Sequence, residues 1–198
     1  MIFHNVEQNS EDWDILRLGK ITSSLVSDLF MKPETKGYKD AIVKVAYEKV
    51  TGESEEKYSN KWMQRGHEKE SIANENYELF TFNQTENGGF YDFDNWNGSS
   101  PDRKIVGLNG GCEFKCPSFQ VYNEYLETQK IPKSYYWQIH HQLYCTGWDF
   151  VDYMPFSSPK LKQILMRVER DDNALRILKE QLEISINDIK ILIERIKQ

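Results

Sequence analysis

The chain has 198 residues, of which 39% are hydrophobic and 13% aromatic, and such proportions are typical of a folded globular protein and exclude a disordered one. This length is most simply one domain, residues 1–198, with a buried core. No apolar run approaches the length of a membrane span, and the residues after Met1 lack the layout of a secretory signal. We therefore expect a cytoplasmic protein with no membrane partner.

The net charge and the cysteine content further restrict the class of protein and the kinds of site that the sequence can form. The net charge is −6, and the deficit of basic residues lies in residues 71–159, which hold 5 Lys/Arg against 11 Asp/Glu. Binding to DNA would therefore depend on local basic clusters and be salt-sensitive. Three cysteines fit neither a disulfide framework nor an iron–sulfur site, so we expect them to be small buried hydrophobes.

The first 80 residues predict four helices after a loosely structured start at residues 1–11. A short amphipathic helix at Trp13–Leu18 ends at Gly19. The next helix runs to Met31, the third covers Asp40–Val50 after a loop at residues 36–38, and the fourth covers Lys61–Phe80. Five residues of the fourth helix are predicted to face the core: Met63, Ile72, Ala73, Tyr77 and Phe80.

The start of the second helix is a candidate anion site. Thr22, Ser23 and Ser24 are favourable N-cap residues, and a helix N-terminus offers free N–H groups and a positive dipole end. Arg17, just upstream, could bind a phosphate with two hydrogen bonds. From these residues alone, a capped surface helix with a solvated Arg17 is the simpler interpretation.

The pattern changes to strands at residues 84–94, and the most informative stretch follows them. If Glu113 and Lys115 share one strand, the period of two places both on one face and turns Phe114 into the core. Asp102 would come from a neighbouring strand, with Asn109-Gly110-Gly111 as the turn between them. Pro117 should end the strand, because proline has no N–H for the sheet.

Asp102, Glu113 and Lys115 together predict a site that cleaves phosphodiesters. Two close carboxylates repel each other, and Mg²⁺, or Mn²⁺ as a substitute, would neutralise them while water and phosphate oxygens complete its coordination. Lys115 would orient a water and stabilise negative charge. The Glu-x-Lys pair alone is a weak signal, because alternating charges are common on half-exposed strands.

The remaining chain predicts helices at Ser118–Thr128 and Tyr135–Cys145, strands at Trp148–Phe156 and Gln163–Glu169, and a long final helix capped at residues 171–173. On the second of these helices Gln138 and Gln142 lie one turn apart on the same face. The final helix has a second apolar side, which we interpret as a subunit contact; its residues are Ile184, Ile186, Ile191 and Ile193.

These segments resemble the PD-(D/E)xK nucleases, and more narrowly the lambda-exonuclease-like (YqaJ-type) alkaline exonucleases. Ser100-Pro101-Asp102 and Glu113-Phe114-Lys115-Cys116-Pro117 resemble that family's S-P-D-G and L-E-(I/L/F)-K-C-P. Further matches to the family pattern are Arg17 to Ser24 (R-x-G-x-I-T-A-S), Gly66 with Glu70 (G-x-x-x-E), Tyr135 to Gln142 (Y-x-x-Q-x-Q) and the strand from Trp148 to Pro155. Arg103-Lys104 replaces the usual Gly-Leu, and His140 replaces the second Gln, which leaves open whether His140 or Gln142 reaches the site.

The order of elements and the resemblance imply an α/β, restriction-endonuclease-like core with a central mixed β-sheet flanked by helices and a long C-terminal helix. The resemblance also assigns roles. Metal ligands would be Asp102, Glu113 and the Phe114 carbonyl; catalytic residues would include these two carboxylates with Lys115, Gln138 and Glu70; the DNA 5′-phosphate would bind Arg17, Thr22 and Ser24.

The implied activity is Mg²⁺-dependent 5′→3′ digestion of one strand of linear double-stranded DNA, which leaves 3′ single-stranded tails for recombination by strand annealing. The same resemblance implies a homo-oligomeric ring, a single-strand annealing protein as partner, and a phage or prophage origin in a bacterial host.

Three alternatives stay open at this point. The first is a related endonuclease of the restriction type. The second is a single-strand nuclease of the CRISPR-adaptation type, although those enzymes generally carry four cysteines. The third is a non-catalytic module that binds DNA ends, which the intact Asp, Glu and Lys set disfavours.

Overall fold

The structure is a computed structural model that describes residues 1–54 and 61–198, with side chains excluded for residues 61–68. The predicted core residue Met63 and the motif glycine Gly66 therefore lie outside the described side chains. The helices of the described chain are α1 (Glu11–Arg17), α2 (Val26–Leu29), α3 (Lys36–Thr51), α4 (Lys61–Thr81), α5 (Phe119–Thr128), α6 (Lys133–Thr146) and α7 (Asp172–Ile196), with a 3-10 turn at Ser23–Leu25 before α2.

The strands form two mixed sheets. They are β1 (Ile2–His4), β2 (Ile21–Thr22), β3 (Thr85–Asn87), β4 (Phe90–Asp92), β5 (Asn97–Ser99), β6 (Arg103–Ile105), β7 (Gly110–Lys115), β8 (Phe150–Pro155) and β9 (Met166–Glu169). The smaller sheet has the order β1-β4-β5-β2 and the larger β3-β6-β7-β8-β9. In the larger sheet β7 runs parallel to β8, whereas the other neighbours are antiparallel. The predicted α/β core with a mixed sheet and a long C-terminal helix is confirmed.

Helices cover both faces of the larger sheet, because its central strands alternate between two cores. Val151 and Tyr153 of β8 pack with residues of α5 and α6. Met154 of β8 and Phe114 of β7 face the other way and pack with Tyr77 of α4. The strand period of two therefore places α6 on one face of the sheet and α4 on the other.

Helix α7 packs its main apolar stripe on α3. Its N-terminus is capped by Asp171, which accepts from the N–H groups of Asn173 and Ala174. The predicted second apolar side is divided: Ile186 and Ile193 pack on the core, whereas Ile184 and Ile191 are 55% and 48% exposed. None of the helices in the described residues is long and apolar enough to cross a membrane.

Several local predictions in the N-terminal part are wrong. Residues 2–4 form β1, which pairs with β4, and no local pattern signals a partner so distant in sequence. Helix α3 begins at Lys36 because Thr35 caps it by accepting from a backbone N–H. The helix predicted up to Met31 is a 3-10 turn followed by α2, which ends at Leu29. Two residues predicted to face the core from α4 are instead exposed, namely Ile72 and Phe80.

The glycines before Glu113 have a different role from the predicted one. The turn between β6 and β7 occupies residues 106–109, where Gly107 has a φ of 77°. Gly110 and Gly111 already belong to β7. A Cβ atom at Gly111 would lie 2.0 Å from the Trp148 ring, so close packing and not turn geometry requires the glycine.

Candidate active site

The site is built on β7, whose residues alternate as predicted. Phe114 packs into the core on the α4 side, and Glu113 faces α6. Lys115 lies on the same face as Glu113 and donates a hydrogen bond to Glu113 Oε1. The strand therefore brings a carboxylate and an ammonium together, as the period of two requires.

Glu113 is almost completely buried and is held by α6. The residue is 1% exposed. Gln138 Nε2 donates to Glu113 Oε1 over 2.5 Å, and Gln142 Nε2 donates to Glu113 Oε2 over 2.5 Å. With the Lys115 bond, both carboxylate oxygens have donors, as a buried charge needs. Gln142, and not His140, is the second α6 side chain to reach Glu113.

Asp102 lies beside Glu113, just before β6. Its Oδ2 atom accepts from the Phe114 backbone N–H over 2.6 Å. Burial raises the pKa of the Asp102 carboxyl well above its ordinary value, and the carboxylates of Glu113 and Glu70 raise it further. The Lys115 ammonium and the Phe114 N–H oppose that shift in pKa without cancelling it. Three carboxyl groups are therefore crowded into one region.

Lys115 stays charged in this environment. Burial alone would lower the pKa of the Lys115 ammonium, but the carboxylates of Glu113 and Asp102 outweigh it and leave this pKa above its ordinary value. The Lys115 Nζ atom also lies 5.1 Å from the centre of the Tyr135 ring. The ammonium is thus a fixed positive charge beside two carboxylates.

A cavity of about 180 Å³ opens beside Asp102. Glu70, Asn87 and Arg103 contribute to its lining together with Asp102. Glu70 belongs to α4, so its carboxylate reaches the cavity from the face of the sheet opposite Glu113. Within the described residues Arg103 Nε is buried without a hydrogen-bond partner, whereas Lys104 pairs with Glu86 over 2.7 Å.

The donor set fits a divalent cation with few protein ligands. Among the residues that the structure describes, no three His, Cys, Asp or Glu side chains converge as a metal cluster. Asp102 and Glu113 nevertheless supply two carboxylates, and Phe114 can supply a carbonyl. Its N–H points at Asp102, and the N–H and C=O of one strand residue point to the same edge. Two carboxylates and a carbonyl match Mg²⁺, which usually keeps several waters or phosphate oxygens.

The three residues predicted to bind the phosphate lie on different elements: Arg17 ends α1, Thr22 ends β2, and Ser24 lies in the 3-10 turn that follows. The Arg17 guanidinium lies 3.9 Å from the centre of the Trp13 ring, and burial lowers the pKa of Arg17 to about 10. Thr22 Oγ1 lies 3.4 Å from Ser24 Oγ. Thr22 is buried and Ser24 exposed. Thr22 is the N-cap residue of the 3-10 turn but makes no capping bond through its side chain, so its hydroxyl keeps donor and acceptor capacity.

Sequence reasoning missed how this segment is joined to the residues that precede Asp102. Trp13 Nε1 donates to Ser100 Oγ over 2.6 Å, two residues before Asp102. Ser23 Oγ lies 2.8 Å from Ser99 Oγ and 2.9 Å from His141 Nδ1. These contacts join residues far apart in the chain, so no local pattern could have indicated them.

The cysteines and His140 are structural side chains in this arrangement. Cys112 and Cys145 are buried and Cys116 is half-buried, all as free thiols. His140 is buried with its ring 4.2 Å from that of Tyr136, and neither of its nitrogens has a partner among the described residues.

The fold of the chain is similar to the folds of solved exonuclease structures. The alkaline exonuclease LHK-Exo of Laribacter hongkongensis shares 27% identity, with a TM-score of 0.85 over 95% of this chain and 96% of that chain. Its complex with dAMP gives a TM-score of 0.86 at the same identity and coverage. A phage-related exonuclease from Haemophilus somnus 129PT shares the fold, with a TM-score of 0.64 and 15% identity over 89% of this chain and 96% of that one.

No curated protein matches the chain. Residues 12–149, well over half of the sequence, match the family described as YqaJ-like viral recombinase domain. This stretch contains every candidate site residue from Arg17 to Gln142. The chain therefore belongs to the YqaJ-like viral recombinase family, which confirms the resemblance inferred from its motifs.

Proposed function

We propose that the protein is a Mg²⁺-dependent 5′→3′ exonuclease that degrades one strand of linear double-stranded DNA and leaves 3′ single-stranded tails. The observation that carries the proposal is the geometry around Glu113: a buried carboxylate held by Gln138, Gln142 and Lys115, next to Asp102. The structural similarity to an alkaline exonuclease over nearly the whole chain supports this chemistry, and its complex with dAMP contains the type of product that stepwise digestion releases.

Asp102, Glu113 and the Phe114 carbonyl would hold the metal ion. When bound, Mg²⁺ or Mn²⁺ supplies a Lewis acid for the phosphate and lowers the pKa of a water. The two glutamines keep the Glu113 carboxylate in one orientation without adding charge. Glu70, which lines the cavity beside Asp102, adds a third carboxylate that can orient a water near Asp102.

Lys115 serves the anions of the reaction. In the structure its ammonium donates to Glu113, where it offsets the carboxylate charge. When a cation takes over that function, the ammonium is free to donate to the attacking water or to a non-bridging phosphate oxygen. A donor fixed on a strand and aimed at developing negative charge lowers the barrier without reorganisation.

Direction along the DNA would come from a 5′-phosphate site at Arg17, Thr22 and Ser24. Arg17 stacked on Trp13 retains a rigid guanidinium plane suited to a phosphate. The segment is joined to the residues before Asp102 by the Trp13–Ser100 hydrogen bond. A terminal phosphate bound there would place the adjacent phosphodiester toward the metal site.

We also propose that the protein self-associates and acts together with a partner protein. The exposed Ile184 and Ile191 on α7 support self-association, and a homo-oligomeric ring would keep the enzyme on its DNA. The 3′ tail produced is the substrate of a single-strand annealing protein, which we propose as the partner. Light scattering at micromolar concentration tests the assembly, and a monomeric mass would contradict it.

The activity is tested with linear, nicked and circular duplexes that carry 5′-phosphate or 5′-hydroxyl ends, in Mg²⁺, Mn²⁺ or EDTA. We expect digestion of linear duplexes only, fastest from 5′-phosphate ends, and none in EDTA. Cleavage of closed circles would show an endonuclease instead. Binding to ends without cleavage in either metal would show a non-catalytic end-binding module.

A further inference from the structure

A buried cluster of polar side chains lies directly beneath the proposed phosphate segment. Its centre is the Ser23 hydroxyl, 2.9 Å from His141 Nδ1 and 2.8 Å from Ser99 Oγ. His141 Nε2 lies 3.4 Å from Asn97 Oδ1. None of these four side chains is more than 4% exposed. The cluster is therefore shielded from water and cannot itself contact DNA.

The hydrogen bonds of the cluster have one consistent direction. Burial lowers the pKa of His141 to about 3, so its imidazole is neutral and has one N–H. Asn97 uses its amide nitrogen to donate to Asp94, which leaves its oxygen to accept from His141 Nε2. His141 Nδ1 then accepts from the Ser23 hydroxyl, and the Ser23 oxygen accepts from Ser99. Each group is satisfied in this one arrangement, which gives the cluster a defined geometry.

The cluster joins the three parts of the site. Ser23 stands between Thr22 and Ser24 of the phosphate segment. Ser99 ends β5, three residues before Asp102. His141 lies on α6 beside Gln142, which holds Glu113. A shift of any of these elements would stretch a buried hydrogen bond in a region where water cannot replace it.

We propose that Ser23, His141 and Ser99 are positioning residues that set the distance between the 5′-phosphate segment and the metal-binding carboxylates, and thereby set the preference for phosphorylated DNA ends. The inference rests on the proposed function, because it requires both that segment and that site. A core held only by apolar packing would support the fold equally well, but it would not fix the orientation of the turn so narrowly.

The test compares Ser23→Ala with Ser185→Ala. Ser185 is also fully buried and bonded, but on α7, away from the cluster. For wild type and both variants, kcat and KM are measured on linear duplexes with 5′-phosphate or 5′-hydroxyl ends, together with the unfolding temperature. We expect Ser23→Ala to reduce the ratio of kcat/KM for phosphate over hydroxyl ends about tenfold, the scale of one oriented hydrogen bond, mainly through KM for phosphate ends. Ser185→Ala should leave this ratio unchanged, even if both variants melt at a lower temperature.

A second variant and a second measurement keep the proposal testable if Ser23→Ala does not fold. Ser99→Ala removes only one bond of the cluster and should reduce the same ratio by a smaller factor. The dissociation constants of labelled 5′-phosphate and 5′-hydroxyl duplexes in EDTA give the end preference without cleavage. A wild-type protein that prefers phosphate ends, with the preference unchanged in the variants, would overturn the positioning role alone. A wild-type protein that lacks any end preference would overturn the phosphate site and this inference together.

Discussion

Helix α6 contacts two buried polar networks that differ in charge. Toward β7, Gln138 and Gln142 hold the Glu113 carboxylate, where burial and, after it, neighbouring carboxyl groups raise the pKa of Asp102. Toward β5, the neutral His141 ring binds Ser23, and every polar group has a partner. The first network contains carboxyl groups that repel one another, and we expect a bound cation to reduce this repulsion. The second network fixes the positions of its side chains without a charged member. Both networks contact α6 within little more than one turn, so a site with crowded charges and a neutral site of fixed geometry lie only a few residues apart.

The largest expected effect is on the charged network. Replacement of Lys115 by alanine removes the fixed ammonium, and we expect kcat to fall by about 10²–10³, the scale of one lost charge-stabilising donor. Initial rates on a 5′-phosphorylated linear duplex measure the loss. Lys104→Ala, which removes a more exposed lysine paired with Glu86, is the control and should retain near-normal rates. Near-normal digestion by Lys115→Ala would refute the role of Lys115.

A second substitution tests the groups that orient the Glu113 carboxylate without changing any charge. Gln142→Leu keeps the volume of the side chain but leaves Glu113 Oε2 without its donor, so we expect the free energy of unfolding to fall by about 1–3 kcal/mol. Urea denaturation measures the change. Gln138→Leu, which removes one of two donors to Oε1, should cost less. Equal losses in both variants would show that Glu113 does not depend on Gln142 in particular.

The neutral network around His141 should make the stability of the fold depend on pH. The pKa of His141 is lowered from its ordinary value of 6.5 to about 3, so below pH 6.5 the unfolded chain binds a proton that the folded protein does not. Stability is therefore lost as the pH falls, by about 1.4 kcal/mol per pH unit once well below 6.5. Besides Ser23 and Asn97, which bond the ring, two titratable groups face it: Asp94, which favours the charged form, and the neutral Cys145 thiol.

Unfolding free energies between pH 7 and 5 measure this dependence. Burial also lowers the pKa of His140, so His140→Asn should remove part of it and His141→Asn the larger part. An unchanged acid dependence in His141→Asn would contradict the assignment of a neutral buried ring.

The smallest expected effect concerns the metal-free protein. Asp102→Asn removes one of the crowded charges while its amide oxygen can still accept from the Phe114 N–H. We expect a gain of about 0.5–1 kcal/mol in EDTA, typical when a functional site is relieved of strain. The unfolding temperature in EDTA measures this gain. The difference between the unfolding temperatures in Mg²⁺ and in EDTA measures how much stabilisation by the metal the variant has lost. A lower unfolding temperature of the variant in EDTA would contradict the crowding.

Much of the candidate site around Glu113 could be predicted because its signals are local. The period of two placed Glu113 and Lys115 together, and the helical spacing placed Gln138 and Gln142 on one face. Which of His140 and Gln142 reaches Glu113 depended on the packing of α6 against β7, and the sequence left it open. The strand Ile2–His4 and the cluster around Ser23 were missed because their partners are distant along the chain.

The spacing of side chains on α6 has a consequence for sequence change. Gln138, His141 and Gln142 lie within little more than one helical turn, and each residue advances the helix by about 100°. An insertion or deletion of one residue between Gln138 and His141 would rotate Gln138 by about 100° relative to His141 and Gln142, so Gln138 and Gln142 could no longer both face Glu113. A change in length within this turn should therefore be more damaging than a single substitution, because the helical phase directs neighbouring α6 side chains toward both Glu113 and Ser23.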